Sequence, residues 1–264
     1  MVALGQPGAA QVSTETVLSC EGLVKAFGGV LATDHVSLSL QRGARHALIG
    51  PNGAGKTTLI NLLTGVLSPT AGRIRWLNQD ITTWAAHRRV SAGLVRTFQI
   101  NQLFDGLTPA QTLGLAVSQS MGLGASLTHW MGGHSEVAKL CEALLEQFHL
   151  VEVMHQPTPQ LPYGKRRLLE MAIALACNPK VLLLDEPVAG VPTGEREELL
   201  QTVANLPADV SVLLIEHDLD LVFRFAHELT VLVNGAVLTQ GSPEAIEADE
   251  RVREVYLGQW GSHG

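Results

Sequence analysis

Short apolar runs recur along this chain, and what separates them changes character three times. In the first eighty or so residues the runs follow closely on one another: Val17 to Phe27, Val36-Ser37-Leu38-Ser39-Leu40 and Arg73-Ile74-Arg75-Trp76-Leu77. The latter two alternate apolar with polar, and turns stand at Gly28-Gly29 and Gln41-Arg42-Gly43. Period-two alternation between such turns predicts antiparallel strands with one face buried. A second kind of run is aliphatic almost throughout: Ala44 to Ile49, Leu94 to Phe98, Val181 to Leu184, Val210 to Ile215 and Leu229 to Val233. Strands lacking a polar face are covered on both sides, and their alternation with helical stretches predicts a mostly parallel sheet with helices packed on it. Asn234-Gly235 is a two-residue hairpin signal that closes the far edge antiparallel through Val237 to Thr239, and Ser242-Pro243-Glu244 caps a short helix after it.

From about Asn101 to Pro162 the spacing turns helical and no strand run is present. Val137, Leu140, Cys141, Leu144, Leu145 and Phe148 recur with the three-and-four step of one helix face, which predicts that this face is buried. The stretch therefore reads as a helical lobe, about 101–162, inserted into a single α/β domain spanning 16–260. Residues 1–15, small and polar, are expected to be disordered, and 261–264 form a tail. Gly122 to Gly133 is glycine-rich and predicts no element.

Composition narrows the class. With 46% apolar residues in 264, the chain has enough for a well-buried core. Cys20, Cys141 and Cys177 lie far apart with no CxxC spacing, which predicts neither a disulfide framework nor a zinc site. No aliphatic run approaches the ~20 residues of a membrane helix, and Met1-Val2-Ala3-Leu4 lacks the cationic start of a secretory signal. A soluble protein is expected. The net charge of -7 argues against a nucleic-acid partner.

Candidate chemistry begins between the Ala44 to Ile49 run and the helical Leu59-Ile60-Asn61-Leu62-Leu63, where the chain reads Gly50-Pro51-Asn52-Gly53-Ala54-Gly55-Lys56-Thr57-Thr58. Glycines at this spacing let the backbone curl so that successive amides point at phosphate oxygens, and the helix behind adds the positive end of its dipole. Lys56 then neutralises the β- and γ-phosphates of a nucleoside triphosphate, and the Thr57 hydroxyl holds Mg²⁺. A second site element is Val181-Leu182-Leu183-Leu184-Asp185-Glu186-Pro187, a buried strand that delivers two carboxylates at its C-terminal end, the edge where open α/β sheets place ligands. Both acids are expected to face the phosphate loop. Asp185 suits Mg²⁺ held through a water, and Glu186 suits polarising the water that attacks the γ-phosphate.

In this order and spacing the residues resemble the ATP-binding subunits of ABC transporters, and the resemblance runs from about Val17 to Trp260. It implies a P-loop fold of ABC type, with a mostly parallel core sheet, an antiparallel β appendage and the inserted helical lobe. It implies that Phe27, just before Gly28-Gly29, stacks on adenine. Gln99, in Arg96-Thr97-Phe98-Gln99, matches the glutamine that senses Mg²⁺ and hinges the lobe. His217, in Ile215-Glu216-His217-Asp218, matches a histidine that contacts the γ-phosphate.

Two segments depart from the family pattern. Leu161-Pro162-Tyr163-Gly164-Lys165 stands where the family reads Leu-Ser-Gly-Gly-Gln before a helix, here expected from Arg166 through Ala176, that reaches the γ-phosphate of ATP held by the opposite subunit. Pro162 has neither the serine hydroxyl nor a backbone N–H, whereas Lys165 offers some attraction in return. Ala189-Gly190-Val191-Pro192 carries proline in place of the Asp or Asn of the loop that communicates across the dimer. Unequal sites are expected if the chain pairs with a different subunit.

Phe27-Gly28-Gly29-Val30, Gly93 to Gln99, Tyr163 and Glu186-Pro187-Val188-Ala189-Gly190 look most like the branch that serves importers of branched-chain amino acids, amides and urea. That resemblance implies ATP and Mg²⁺ as cofactors, a second ATPase subunit in a homodimer or, more in keeping with the two prolines, a heterodimer, and a pair of membrane permeases. It further implies a substrate-binding protein reached indirectly, and a cytoplasmic site peripheral to the membrane. Exporter ATPases for lipid or lipopolysaccharide, soluble ABC ATPases acting on ribosomes or DNA, and an ATP-gated regulator with little hydrolysis are the alternatives.

Overall fold

A computed structural model describes residues 15–97, 106–124 and 135–256. The runs of uniformly aliphatic sequence form a six-stranded sheet in the order β10-β9-β3-β8-β7-β6, comprising β3 (Arg45–Ile49), β6 (Leu94–Arg96), β7 (Val181–Asp185), β8 (Ser211–Ile215), β9 (Glu228–Val233) and β10 (Ala236–Gly241). All neighbours are parallel except the edge hairpin β9–β10, joined at Asn234-Gly235. Asn234 and Gly235 both have positive φ, as this hairpin turn requires.

Successive residues of the central strands enter two separate cores. Leu182 and Leu184 of β7, with Val212 and Leu214 of β8, pack with the helices of one face; Val181, Leu183, Leu213 and Ile215 pack on the other. The strand pleat puts neighbours on opposite faces, so a strand buried on both sides needs apolar residues at every position. The second core also takes in α1 (Lys56–Thr64) and the inner face of a four-stranded antiparallel sheet ordered β2-β1-β4-β5. Those strands are β1 (Thr16–Phe27), β2 (Val30–Gln41), β4 (Ala71–Trp76) and β5 (Gln79–Asp80). β2 starts six residues before the alternating run that predicts it.

The helical region contains α3 (Pro109–Ser120) and α4 (Ser135–Gln147), with α2 (Ala86–Ser91) preceding β6. A capping box fixes the start of α3: the Thr108 hydroxyl accepts from the Gln111 amide while the Gln111 side chain accepts from the Thr108 amide. α5 (Tyr163–Ala176) starts three residues earlier than expected and packs against α3. On α4 the expected apolar face is buried at Val137, Cys141, Leu144 and Leu145, and Phe148 just past its end is buried too, but Leu140 is 49% exposed. Leu140 lies at the margin of the stripe, where the helix has already turned from the core. After β7 come α6 (Thr193–Ala204), α7 (Leu219–Phe225), α8 (Pro243–Ala248) with Ser242 as its N-cap, and α9 (Glu250–Tyr256). No helix among the described residues is long and apolar enough to cross a membrane. The expected disorder of 1–15 lies outside the described residues up to 14; Glu15 is described and pairs with Arg42 at 2.8 Å.

Candidate functional site

The phosphate loop connects β3, at the middle of the sheet, to α1. Gly50 and Gly55 cannot carry a side chain: a Cβ on Gly50 would stand 2.1 Å from the Leu232 carbonyl oxygen, and one on Gly55 would stand 2.2 Å from that of Ala32. The glycines thus let the loop lie flat on two neighbouring backbones. Gly55 is the N-cap of α1 in a left-handed conformation, and no side chain caps the helix. The first-turn amides of a helix begun this way take no side-chain cap from that position. Lys56 is buried, and its Nζ donates to the carbonyls of Gly50 at 2.5 Å and Pro51 at 3.1 Å, spanning the loop. Burial pulls the Lys56 pKa down, and the charges of Glu186 and Asp185 oppose that shift. Asn52, Gly53 and Thr57 are exposed, Pro51 and Thr58 half-buried, and Ala54 packs in the core beneath.

β7 ends as expected on its two carboxylates, but they part company there. Asp185 is buried and its Oδ2 accepts from Arg96 at 2.5 Å; Arg96 also donates to the Asn61 Oδ1 on α1 at 2.7 Å. Glu186 turns away at a left-handed φ of 46°, with its amide donating to the Ile215 carbonyl at 2.9 Å. Its Oε1 lies 3.7 Å from His217 Nδ1. Glu186 and His217 line, with Gly50, Pro51, Asn52 and Tyr256, a chamber of about 420 Å³. A cationic loop, a carboxylate and a histidine around one chamber have the donors and the base needed for phosphoanhydride hydrolysis.

Three residues of this region escaped the sequence reading. Arg96 is a charge in an otherwise aliphatic run, and that contrast was the available signal. Glu216 is fully buried; its Oε2 accepts the His217 amide at 3.0 Å and its Oε1 the Val188 amide at 3.4 Å. Burial pushes its carboxyl pKa up, against the amides of His217, Val188 and Asp218 and the His217 charge. Tyr256, on the last described turn, stands beside the Gly50 backbone, and burial pushes its phenol up to about 12. Nothing local in the sequence marks a residue two hundred positions from the loop that it touches.

The other expected residues lie elsewhere or are not described. Phe27 is half-exposed at the end of β1 with the Lys25 amine 5.2 Å from its ring centre. Gln99 lies outside the described residues. Pro162 is the N-cap of α5 and supplies no side-chain cap. The Gly164 amide donates to Glu195 Oε2 at 2.7 Å, and Lys165, expected to attract a nucleotide, is instead paired with Glu198 at 2.7 Å and donates to the His149 carbonyl. Tyr163 Oη donates to the Ala189 carbonyl at 3.3 Å, joining the Leu161 to Lys165 segment to the loop of Ala189, Gly190, Val191 and Pro192. A separate, largely apolar groove of about 250 Å³ runs between α1, α2, β6 and α5, with Val66 and Val90 exposed on its rim.

Comparison with known proteins bears on this arrangement. A family model described as ABC transporter matches residues 33–189. The chain is 35% identical over 255 residues to the high-affinity branched-chain amino acid transport ATP-binding protein BraF of Pseudomonas aeruginosa, covering 92% of this chain and 98% of that one. To LivG of Escherichia coli K12, described in the same words, it is 36% identical over 253 residues, covering 93% and 99%. Among solved structures, the ADP conformation of an ATP-binding cassette of an ABC transporter superposes with a TM-score of 0.78 at 33% identity, covering 93% of this chain and all of that one.

Proposed function

Since this chain belongs to the ABC transporter ATP-binding family and is an ATPase of it, we propose that it drives uptake of branched-chain amino acids, or of a related small polar solute, through partner permeases at the cytoplasmic face of the membrane. The observation that carries the chemistry is the meeting of the Gly50–Asn52 loop, Glu186 and His217 around one chamber, with Lys56 spanning the loop. The observation that favours import is near full-length identity to BraF and LivG.

ATP lies with its phosphates on residues 50–58 and its adenine against Phe27. Thr57, Asp185 and Gln99 would hold Mg²⁺, which would supply charge neutralisation at the β- and γ-phosphates; an exposed hydroxyl and a carboxylate are the hard oxygen donors that this ion prefers. Glu186 takes the proton of the attacking water, a role that typically contributes about 10² to 10⁴ in rate. His217 orients the γ-phosphate. To hold the ion, Asp185 would share or release Arg96, whose guanidinium donates to its Oδ2.

The partner subunit completes the reaction. Leu161 to Lys165 face the ATP of that subunit, and Ala189 to Pro192 form the contact between the two sites. With the Gly164 amide engaged by Glu195 and Pro162 offering no donor, this chain is a weak complement to its partner's nucleotide, which favours a heterodimer with unequal sites. The groove between α1, α2, β6 and α5 receives a permease helix. The test is phosphate release by the complete transporter in vesicles, with and without its solute-loaded binding protein. Stimulation by a branched-chain amino acid is expected. Co-purification with soluble proteins alone would remove the importer reading.

A further inference from the structure

The ladder between β7 and β8 has its last rung at Asp185 and Ile215, and just beyond it the two strands carry the base and the histidine of the site. One main-chain bond continues past that rung, from the Glu186 amide to the Ile215 carbonyl. The next link is made by a side chain. Glu216 turns its carboxylate inward, with no exposure, and grips an amide of each loop: Val188 with one oxygen, His217 with the other. The oxygen on the His217 amide also lies 3.7 Å from Nδ1 of that ring, matching the separation between Nδ1 and Glu186 Oε1.

We propose that Glu216 is a positioning residue for ATP hydrolysis, tying the loop that carries Glu186 to the loop that carries His217 so that base and histidine reach the γ-phosphate as one unit. The inference rests on the reading of Glu186 and His217 given above. A carboxylate fully removed from water is unfavourable unless its charge is met, and among the described residues the groups that offset the burial of this one are the amides of the two catalytic loops and the His217 ring. An apolar residue would fill the space at least as well but would leave both amides without a partner. Glu216 itself touches no nucleotide.

The test is a double-mutant cycle on the full chain assembled in its transporter: wild type, Glu216→Gln, His217→Ala and the double variant, each read for kcat and for ATP affinity by titration of a fluorescent ATP analogue. Glu216→Gln is expected to lower kcat about tenfold with affinity changed less than about twofold, and the double variant to be no slower than His217→Ala. If Glu216→Gln proves poorly folded, Glu216→Asp carries the same cycle, since it keeps the charge but is one methylene too short for the Val188 amide. Multiplying losses in the double variant, or parallel loss of affinity and kcat, reduces Glu216 to a structural residue and overturns the proposal. A silent Glu216→Gln beside a crippled His217→Ala defeats this inference alone; a silent His217→Ala defeats the reading of the site and this inference with it.

Discussion

Two helix beginnings in this chain resemble each other in sequence and differ in what they leave available. α1 opens on Gly55-Lys56-Thr57 with no capping side chain, and among the described residues the hydrogen bonds of the Lys56 amine go to carbonyls of its own loop. α5 opens on Tyr163-Gly164-Lys165, and there acids of α6 have already claimed the donors: Glu195 takes the Gly164 amide and Glu198 the lysine. Glu195 serves two helices at once, lying in the first turn of α6 and at the N-terminus of α5. The same glycine-lysine chemistry is thus kept open for a phosphate in one place and answered from within in the other. The difference teaches that a helix N-terminus is a ligand site only when the fold withholds its own acids.

The comparison breaks most sharply at the complete site. Glu186→Gln is expected to cut phosphate release by about 10² to 10⁴ while nucleotide binding persists. If release stays within tenfold of wild type, the open cradle is not the hydrolytic one. Next comes the strand beneath the cradle. His46 is buried in β3, where burial holds its pKa down at about 4 and Thr230 bonds its Nε2 at 2.8 Å. The unfolded chain therefore binds a proton that the fold refuses, so stability present above about pH 6.5 is lost as pH falls toward 4. The loss amounts to roughly 3 kcal/mol. Urea unfolding at pH 7 and pH 4.5 is expected to show a smaller gap in His46→Gln than in wild type.

Lys56→Ala removes charge-assisted bonds to phosphate worth about 1.5 to 3 kcal/mol, so ATP affinity is expected to fall roughly tenfold to hundredfold in equilibrium titration. The smallest effect belongs to the answered helix. Glu195→Gln, read in the assembled transporter, is expected to raise turnover about threefold by lifting a negative charge from the partner's nucleotide. Unchanged or lower turnover would mean that the two helix starts do not differ in the way their contacts suggest.

What was legible in the sequence follows the same division. The phosphate loop, the end of β7 and His217 are contiguous motifs attached to strands whose burial on both faces is written residue by residue, so the sheet at that edge came through almost complete. α5 begins three residues before the helical periodicity does, because Pro162 and Tyr163 carry none, although proline is well placed at the entry of a helix. Spacing places Leu140 with the core face, and its exposure shows that spacing alone does not locate the margin of an apolar stripe. Glu195 on Gly164, Arg96 on Asp185 and Tyr256 beside Gly50 join residues 31, 89 and about two hundred positions apart, and no local pattern records such pairings.

Tyr256 has a practical consequence. Because Val255 and Tyr256 of the final described turn line the chamber shared with Glu186 and His217, a bulky fluorophore or cross-linker placed on that turn would crowd the space that the proposed reaction needs. A label on β5, the outer edge strand of the antiparallel sheet, touches none of the residues lining that chamber.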